Sequence, residues 1–354
     1  MDAIDAALVD FDVAPLRIIA TSATPFAPAL KRRLSTLIEN AGSVALDEVG
    51  QIDVELGSAF AQAALELMRS TGVGAGQVTA IGSHGQTLRH RPDLAPPFTW
   101  QIGDPNTLAE MTGVTVVADF RRRDVAAGGQ GAPLLPVFHD LFFRSDREDR
   151  VIANLGGIAN MTILTRDRSV TGFDTGPANR LLDAWISLHE GRDFDAGGAW
   201  AATGRIDETL LRELLDEPYL RLAPPKSTGR ELFNLPWLQN KLGLFSRQPR
   251  DVQATLQQFT AASLADAVRQ YAPGAALYVC GGGAHNASLL RALALLIAPN
   301  RVAGTDTLGL DPDYVEAVAF AWFAKRTLDG LTSSAGGVTG AKGARILGGV
   351  YRYA

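Results

Sequence analysis

One order of elements occurs twice along this chain, a pair of short strands followed by helices, and such a duplication predicts two related α/β lobes with a cleft between them, where ligands usually sit. In the first half Ile4, Ala6 and Leu8 alternate with more polar neighbours, and Pro15 separates that run from a second apolar stretch at 16–20, which predicts a hairpin. Apolar residues then recur at helical spacing over about 25–40 (Leu30, Leu34, Leu37) and over about 54–71 (Leu56, Phe60, Ala64, Leu67). Short β-branched runs at 78–81 and 114–117 each end in a polar segment of functional character. The second half repeats the theme: strands at 151–155 and 161–164, a helix over 179–189, a loop-rich stretch to about 249, a helix over 252–271, and a strand at 276–280 that stops at three glycines. A length of 354 residues exceeds the roughly 250–300 at which a single core stops growing. The charge cluster at 144–150, Arg-Ser-Asp-Arg-Glu-Asp-Arg, is the natural boundary. The predicted domains are therefore 1–145, with the C-terminal tail packing back on it, and 146–354.

Charge and composition remove several function classes. The chain has 33 Lys and Arg against 38 Asp and Glu, a net charge of −5, and its cations do not pool beyond short runs, which disfavours a sequence-independent grip on nucleic acid. No run approaches the roughly 18 apolar residues of a spanning helix, and the start, Met-Asp-Ala-Ile-Asp, is acidic where a secretory signal is basic. A cytoplasmic protein with no membrane partner is expected. The single cysteine, Cys280, lies in an apolar strand as a small buried hydrophobe and rules out an intrachain disulfide or a Cys-based metal cage. A nicotinamide-dependent dehydrogenase needs a G-x-G-x-x-G with an acidic residue roughly 20 positions on, and the sequence has none.

Several polar segments could carry chemistry, each with a plainer alternative. Asn154-Leu-Gly156-Gly157-Ile-Ala-Asn160 puts two glycines at a strand end, either as a hairpin turn or as backbone N–H groups open to an anion. Cys280-Gly281-Gly282-Gly283 precedes a helical run at 289–297, where phosphate or purine could lie against a helix N-terminus, though it is not a Walker A loop. Asp174, in Gly-Phe-Asp-Thr-Gly-Pro, either caps the following helix or presents a carboxylate as a general base. Asp119-Phe-Arg-Arg-Arg123-Asp gathers three cations, as a solvated charge run or as bidentate clamps for an anionic ligand. His84, in Gly-Ser-His-Gly-Gln-Thr, is structural or functional with equal weight. Lys226-Ser-Thr-Gly-Arg230 reads as solvated surface or as a ligand clamp.

As an ordered set, these segments closely resemble the anhydro-N-acetylmuramic acid kinases of the actin, sugar kinase and Hsp70-like superfamily. The resemblance spans nearly the whole chain, through residues 81–87, Gln101-Ile-Gly-Asp104, 119–124 continuing to 128–133, 154–160, 174–177, 226–230, 279–283, Glu316-Ala-Val-Ala-Phe320 and 338–340. It implies a two-lobed actin-like α/β fold built from duplicated RNase H-like domains. The implied reaction uses ATP, Mg²⁺ and water to open 1,6-anhydro-N-acetylmuramic acid and phosphorylate it to N-acetylmuramic acid 6-phosphate, in peptidoglycan recycling. Asp174 would be the base. Arg123, Glu316, His84 and Gln101 would bind the sugar, whose lactyl carboxylate suits an arginine. Asn154, Gly156 and Gly157 would form a phosphate-binding turn, Gly281, Gly282 and Gly283 the nucleotide-site glycines, and Asp2 would approach the metal or phosphates. A homodimer is the common form for small cytoplasmic enzymes and is the expected assembly.

The N-terminus departs from the family pattern. There the first strand leads into a Gly-Thr-Ser-x-Asp-Gly turn, of which only the tail is present, with Ala3 in place of the second glycine. That first strand is central in the superfamily's sheet, so a gap with unpaired backbone is expected in the first lobe and a translation start upstream of Met1. The alternative function is a degenerate, non-catalytic nucleotide- or sugar-binding protein.

Overall fold

The structure, a computed structural model, describes residues 3–14, 16–39, 44–167, 170–243, 246–334 and 336–353. The chain divides into two compact units, Met1–Phe138 with Glu316–Ala354, and His139–Val315.

In the first unit β1 (Ala3–Asp10) and β2 (Arg17–Pro25) pair antiparallel as the alternation predicts, with a bulge between Leu8 and Val9. Helix α1 (Pro28–Glu39) matches the apolar spacing, while α2 (Leu46–Thr71) starts earlier than that spacing predicts. Its added first turn carries Asp47 and Glu48, which suit a helix N-terminus, and it ends on Gly72 at φ 71°. Leu30, Leu34 and Leu37 of α1 and Ile52 and Leu56 of α2 bury together in one core. There follow β3 (Ile81–Gly82), a hairpin of β4 (Gln86–Arg91) and β5 (Phe98–Ile102), α3 (Pro105–Thr112), β6 (Val116–Ala118) and α4 (Phe120–Ala126). β3 and β6 are parallel and belong to a different sheet from β1 and β2. A cavity of about 700 Å³ lies between β1 and β3, lined by Ile4, Leu8, Ser83 and Phe320 among others.

The division falls within α5 (Pro136–Phe143), ahead of the 144–150 charge cluster. The second unit holds β7 (Arg150–Leu155), β8 (Ile158–Leu164), β9 (Val170–Pro177), α6 (Asn179–Glu190), α7 (Glu208–Leu215), α8 (Leu235–Leu242), α9 (Pro249–Tyr271), β10 (Ala276–Cys280), α10 (Ala287–Ile297) and β11 (Val302–Gly304). Its sheet runs β11-β10-β7-β8-β9, with β10 parallel to β7 and β11, and the other pairs antiparallel. Strand side chains alternate between faces. Val151, Ala153, Leu155, Ala159, Met161 and Phe173 pack into a core with Ala261, Leu264 and Val268 of α9 and Leu289 and Leu293 of α10. Asn154, Asn160 and Asp174 therefore share the opposite face.

The chain then returns to the first unit through α11 (Val315–Leu328), α12 (Gly336–Thr339) and β12 (Gly349–Tyr351). β12 pairs with β6, and a Cβ on Gly82 would overlap the Phe320 carbonyl, so α11 lies directly on β3. Thr339 Oγ1 donates to the buried Asp124 (2.8 Å), whose other oxygen accepts the Gly131 N–H (2.7 Å). Residues 316–354 belong to the first unit, so the expected packing-back of the C-terminal tail begins as early as α11, and the second unit ends at Val315 rather than at 354.

Candidate active site

In the first unit His84 sits in the turn after β3, and Arg121 of α4 donates from Nε to its Nε2 (3.0 Å). Arg121 also donates to the Gly131 carbonyl (2.8 Å). Burial, reinforced by the Arg121 charge, holds the His84 pKa down to about 3, so the ring is neutral with its proton on Nδ1. Its ring lies 4.6 Å from that of Phe320. Glu316 opens α11 and faces the cavity, as do His84 and Asp5. It meets solvent there, yet lies deep enough in the unit that desolvation raises its pKa; Arg121 opposes that shift and Asp5 adds to it. Gln101 of β5 donates from Nε2 to Thr87 Oγ1 (3.1 Å) and Thr99 Oγ1 (2.9 Å), while its buried Oε1 has no hydrogen-bond partner. Gly85, at φ 71°, lets the His84 turn close on Ile102 and Gln101, since a Cβ there would lie 2.8 Å from the Ile102 carbonyl. Asp104 is a helix cap: it accepts the N–H groups of Asn106 (3.1 Å) and Thr107 (2.9 Å) at the start of α3.

His84, Glu316 and Gln101 thus lie on elements packed together in this unit. Arg123 does not join His84. It is exposed on α4, and Arg121 makes that contact instead. Two residues apart on a helix lie on different faces, so one charge run contains one inward and one outward arginine. Arg122 pairs with Asp119 (3.2 Å), which among the described residues is the one non-glycine at positive φ, 62°.

In the second unit the strand registers bring four residues into one lateral row. Cys280 stands opposite Asn154, Asn154 opposite Asn160, and Asn160 opposite Asp174. Adjacent strands are about 4.8 Å apart, so Asp174 lies roughly 10 Å from Asn154 across the sheet. Asn154, Asn160 and Asp174 are half-buried polar side chains in strands whose other residues are mostly buried.

Asp174 is a strand residue, which removes the helix-cap alternative: Ala178 precedes α6 without a side-chain cap. Its Oδ2 accepts the Thr228 N–H (3.0 Å), its own N–H donates to the Lys226 carbonyl (3.2 Å), and its carbonyl accepts the Tyr219 hydroxyl (2.8 Å). Lys226 is only 7% exposed, which overturns its reading as solvated surface.

The two glycine segments meet beside Asn154. The Gly156 carbonyl accepts the Asn179 N–H (2.9 Å), and the Gly157 carbonyl accepts those of Ala178 (3.0 Å) and Arg180 (3.1 Å), which ties this turn to the start of α6. Gly281 stands at φ 75° with Asn154 Oδ1 where its Cβ would be, and Gly283 is packed against Leu155. Gly157 and Gly282 are exposed, and a Cβ on either would make only ordinary contact, 3.8 Å from Arg180 Cβ and 3.9 Å from Asn179 Nδ2 respectively. The ends of two parallel strands, with bare backbone between them, form a surface that phosphate can approach closely. Asp2 lies outside the described residues. Among the described residues no three His, Cys, Asp or Glu side chains cluster to hold a metal. Mg²⁺ characteristically takes one or two carboxylates alongside phosphate and water oxygens, and the oxygen donors of the polar row are of that type.

Comparison with known proteins identifies the family. The family model described as anhydro-N-acetylmuramic acid kinase matches residues 1–353. The chain belongs to that family. It is 50% identical over 354 residues to the anhydro-N-acetylmuramic acid kinase of Coxiella burnetii (strain Dugway 5J108-111), covering 99% of this chain and 94% of that one. To the namesake from Xanthomonas axonopodis pv. citri (strain 306) it is 51% identical, covering 99% and 95%. Among solved structures it is similar to the Acidaminococcus fermentans (R)-2-hydroxyglutaryl-CoA dehydratase component A, at 11% identity, covering 90% and 97% of the two chains, with TM-score 0.45. As a member of the anhydro-N-acetylmuramic acid kinase family the chain is a kinase, and nothing favours the degenerate alternative. No helix among the described residues is long and apolar enough to cross a membrane.

The motifs marked Asp174, His84, Glu316 and the glycines; the segments 119–124 and 154–160 contained Arg121 and Asn160 without giving either a role of its own, and Tyr219 lay in no motif. Arg121 was within reach of a helical-face argument on 119–126. Asn160 and Tyr219 depend on strand register and loop packing, which leave no local signal.

Proposed function

We propose that this chain catalyses the ATP-dependent hydrolytic opening and phosphorylation of 1,6-anhydro-N-acetylmuramic acid. Water adds to the anomeric carbon, the bond from that carbon to O6 breaks, and O6 takes the γ-phosphoryl group, giving N-acetylmuramic acid 6-phosphate and ADP. Asp174 accepts the proton of the attacking water. The observation that carries this reading is the polar row: the one carboxylate in it shares a sheet face with Asn154, at the glycine turn.

Thr228 N–H fixes one carboxylate oxygen of Asp174, and the backbone bonds to Lys226 and Tyr219 fix its strand, so the base is held in place before substrate arrives. Asn154, Gly156 and Gly157 are assigned to the phosphates, and Gly281, Gly282 and Gly283 to the rest of the nucleotide. Asp2 and the oxygen donors of the row are assigned to Mg²⁺. When bound, Mg²⁺ neutralises charge on the phosphates. In the first unit, sugar recognition is assigned to His84, Glu316 and Gln101, with Arg123 available to the lactyl carboxylate. Neutral His84 presents its ring at the cavity wall, and Gln101 offers a buried acceptor oxygen that no protein group uses.

Turnover in ¹⁸O-labelled water, with ATP, Mg²⁺ and the anhydrosugar, tests the reaction. One ¹⁸O is expected at the C1 hydroxyl of the phosphorylated sugar when the reaction is quenched before the anomer exchanges, with none in ADP or in the transferred phosphate. Label in inorganic phosphate, or ADP release independent of the sugar, would show an ATPase instead.

A further inference from the structure

We propose that Arg180, in the first turn of α6, is a phosphate-binding residue for the nucleotide: a guanidinium held beside the glycine turn at 156–157 that receives the charge of the ATP phosphates. This rests on the reading of Asn154, Gly156 and Gly157 as the phosphate turn and extends it to a residue that no motif marks.

The turn is bound to α6 through its carbonyls. Those of Gly156 and Gly157 accept the N–H groups of Ala178, Asn179 and Arg180. The donors that a helix N-terminus ordinarily leaves open to an anion are therefore already engaged. In a trans peptide the N–H points opposite to the C=O, so the N–H groups of Gly157 and Ile158, which share peptides with these carbonyls, point away from α6. The turn thus offers backbone dipoles without a cation. The polar row beside it, Asn154, Asn160 and Asp174, adds two amides and a carboxylate, and no positive charge.

Arg180 is placed to supply that charge. Leu181, Leu182, Trp185 and Ile186 form the buried stripe of α6, and Arg180 lies on the opposite side of the helix. An arginine on such a face ordinarily extends its head into water. Arg180 does not: its Nε is shut off from solvent and has no hydrogen-bond partner, and no ion pair among the described residues involves it. Its Cβ lies 3.8 Å from where a Cβ on Gly157 would stand, so the side chain leaves α6 alongside the turn. A buried N–H without an acceptor destabilises the empty protein, and an incoming anion removes that penalty. A guanidinium also presents phosphate with paired N–H donors in a fixed fork, which an ammonium cannot do.

The test compares Arg180→Met and Arg180→Lys in sugar-dependent ADP release, with KM for ATP and for the anhydrosugar and a ligand-free thermal melt of each variant. Arg180→Met is expected to raise the KM for ATP by about 10–100-fold, the loss of a charged hydrogen-bonding partner, with the sugar KM within about 3-fold of wild type. Its melting point without ligand should equal or exceed that of the wild type, because the unpartnered N–H is gone. Arg180→Lys should fall between the two in ATP KM. A folded Arg180→Met with the wild-type ATP KM overturns the proposal. So does a rise in both KM values with a lowered melting point, which would mark a structural arginine. Gly157→Val, assayed alongside, separates the proposal from the reading beneath it, since position 157 is exposed and has room for a Cβ. If Gly157→Val raises the ATP KM while Arg180→Met does not, only the arginine role fails; if a folded Gly157→Val keeps the wild-type ATP KM, the phosphates lie elsewhere and the arginine role falls with them.

Discussion

Gly281, Gly282 and Gly283 are consecutive, yet the structure gives each a different reason to be glycine, and alanine at each should behave differently. At Gly283 a Cβ would overlap Leu155 Cβ and lie 3.0 Å from the Leu155 carbonyl, and Leu155 is fully buried in the core of the second unit. Neither atom belongs to the far end of a flexible side chain, so β7 itself must move. Over-packing of this kind destabilises by about 1–3 kcal/mol. A kilocalorie shifts the midpoint of a 150–250-residue unit by about 2–4 °C, so Gly283→Ala should melt about 2–12 °C below wild type. At Gly281 the clash with Asn154 Oδ1 adds to the strain of a side chain at φ 75°, so the loss should be at least as large. At Gly282 the nearest atom, Asn179 Nδ2, is 3.9 Å away and the backbone is unstrained, so Gly282→Ala should melt within about 2 °C of wild type. Its exposed position instead predicts a higher KM for ATP, because the new methyl stands where the nucleotide would approach. The assay is thermal unfolding of the three variants without ligand, followed by ATP titration of kinase activity. Equal melting points for Gly282→Ala and Gly283→Ala would refute the packing argument, and an unchanged ATP KM for Gly282→Ala would refute the nucleotide assignment.

Two further outcomes follow from the first unit. The Glu316 carboxyl is raised by burial, so its ionised form opposes folding: the penalty is absent below the ordinary carboxylate range and grows as pH rises through the raised value. Glu316→Gln should therefore gain thermal stability relative to wild type between acid and alkaline pH, and a difference that is flat with pH would contradict that shift. Asp104→Ala removes the cap of α3 and should lower stability by about 0.5–2 kcal/mol in denaturant unfolding, with ATP KM unaffected; a loss of ATP binding at unchanged stability would give Asp104 a direct role.

Much of the second unit was legible because its strands are long and their alternation is clean. The 151–155 and 161–164 runs, the 252–271 helix and the strand ending at Cys280 all stand in the structure within a few residues of where periodicity puts them. The first unit was harder. Its β4–β5 hairpin places Arg89, His90 and Arg91 in a strand, and these carry no apolar alternation. The strand β12 has three residues, too short for any periodic signal, yet its pairing with β6 helps to decide which unit the end of the chain joins. Asp174 was identifiable from its motif, but whether it capped a helix or stood in a sheet row depended on pairing with Asn160, fourteen positions earlier on β8. Lys226 could not be read as buried at all, because the carbonyls and rings that receive it come from 173 and 219–220.

The most direct test of the whole account is the rate of sugar-dependent ADP release by Asp174→Asn, with ATP binding and melting point measured on the same sample. Asparagine can still accept the Thr228 N–H, so the fold and the KM for ATP should hold within about 3-fold while kcat falls by about 10²–10⁴, the contribution ordinarily made by a positioned general base. Turnover at the wild-type rate by a folded Asp174→Asn would contradict the account, and the base would have to be sought elsewhere in the chain.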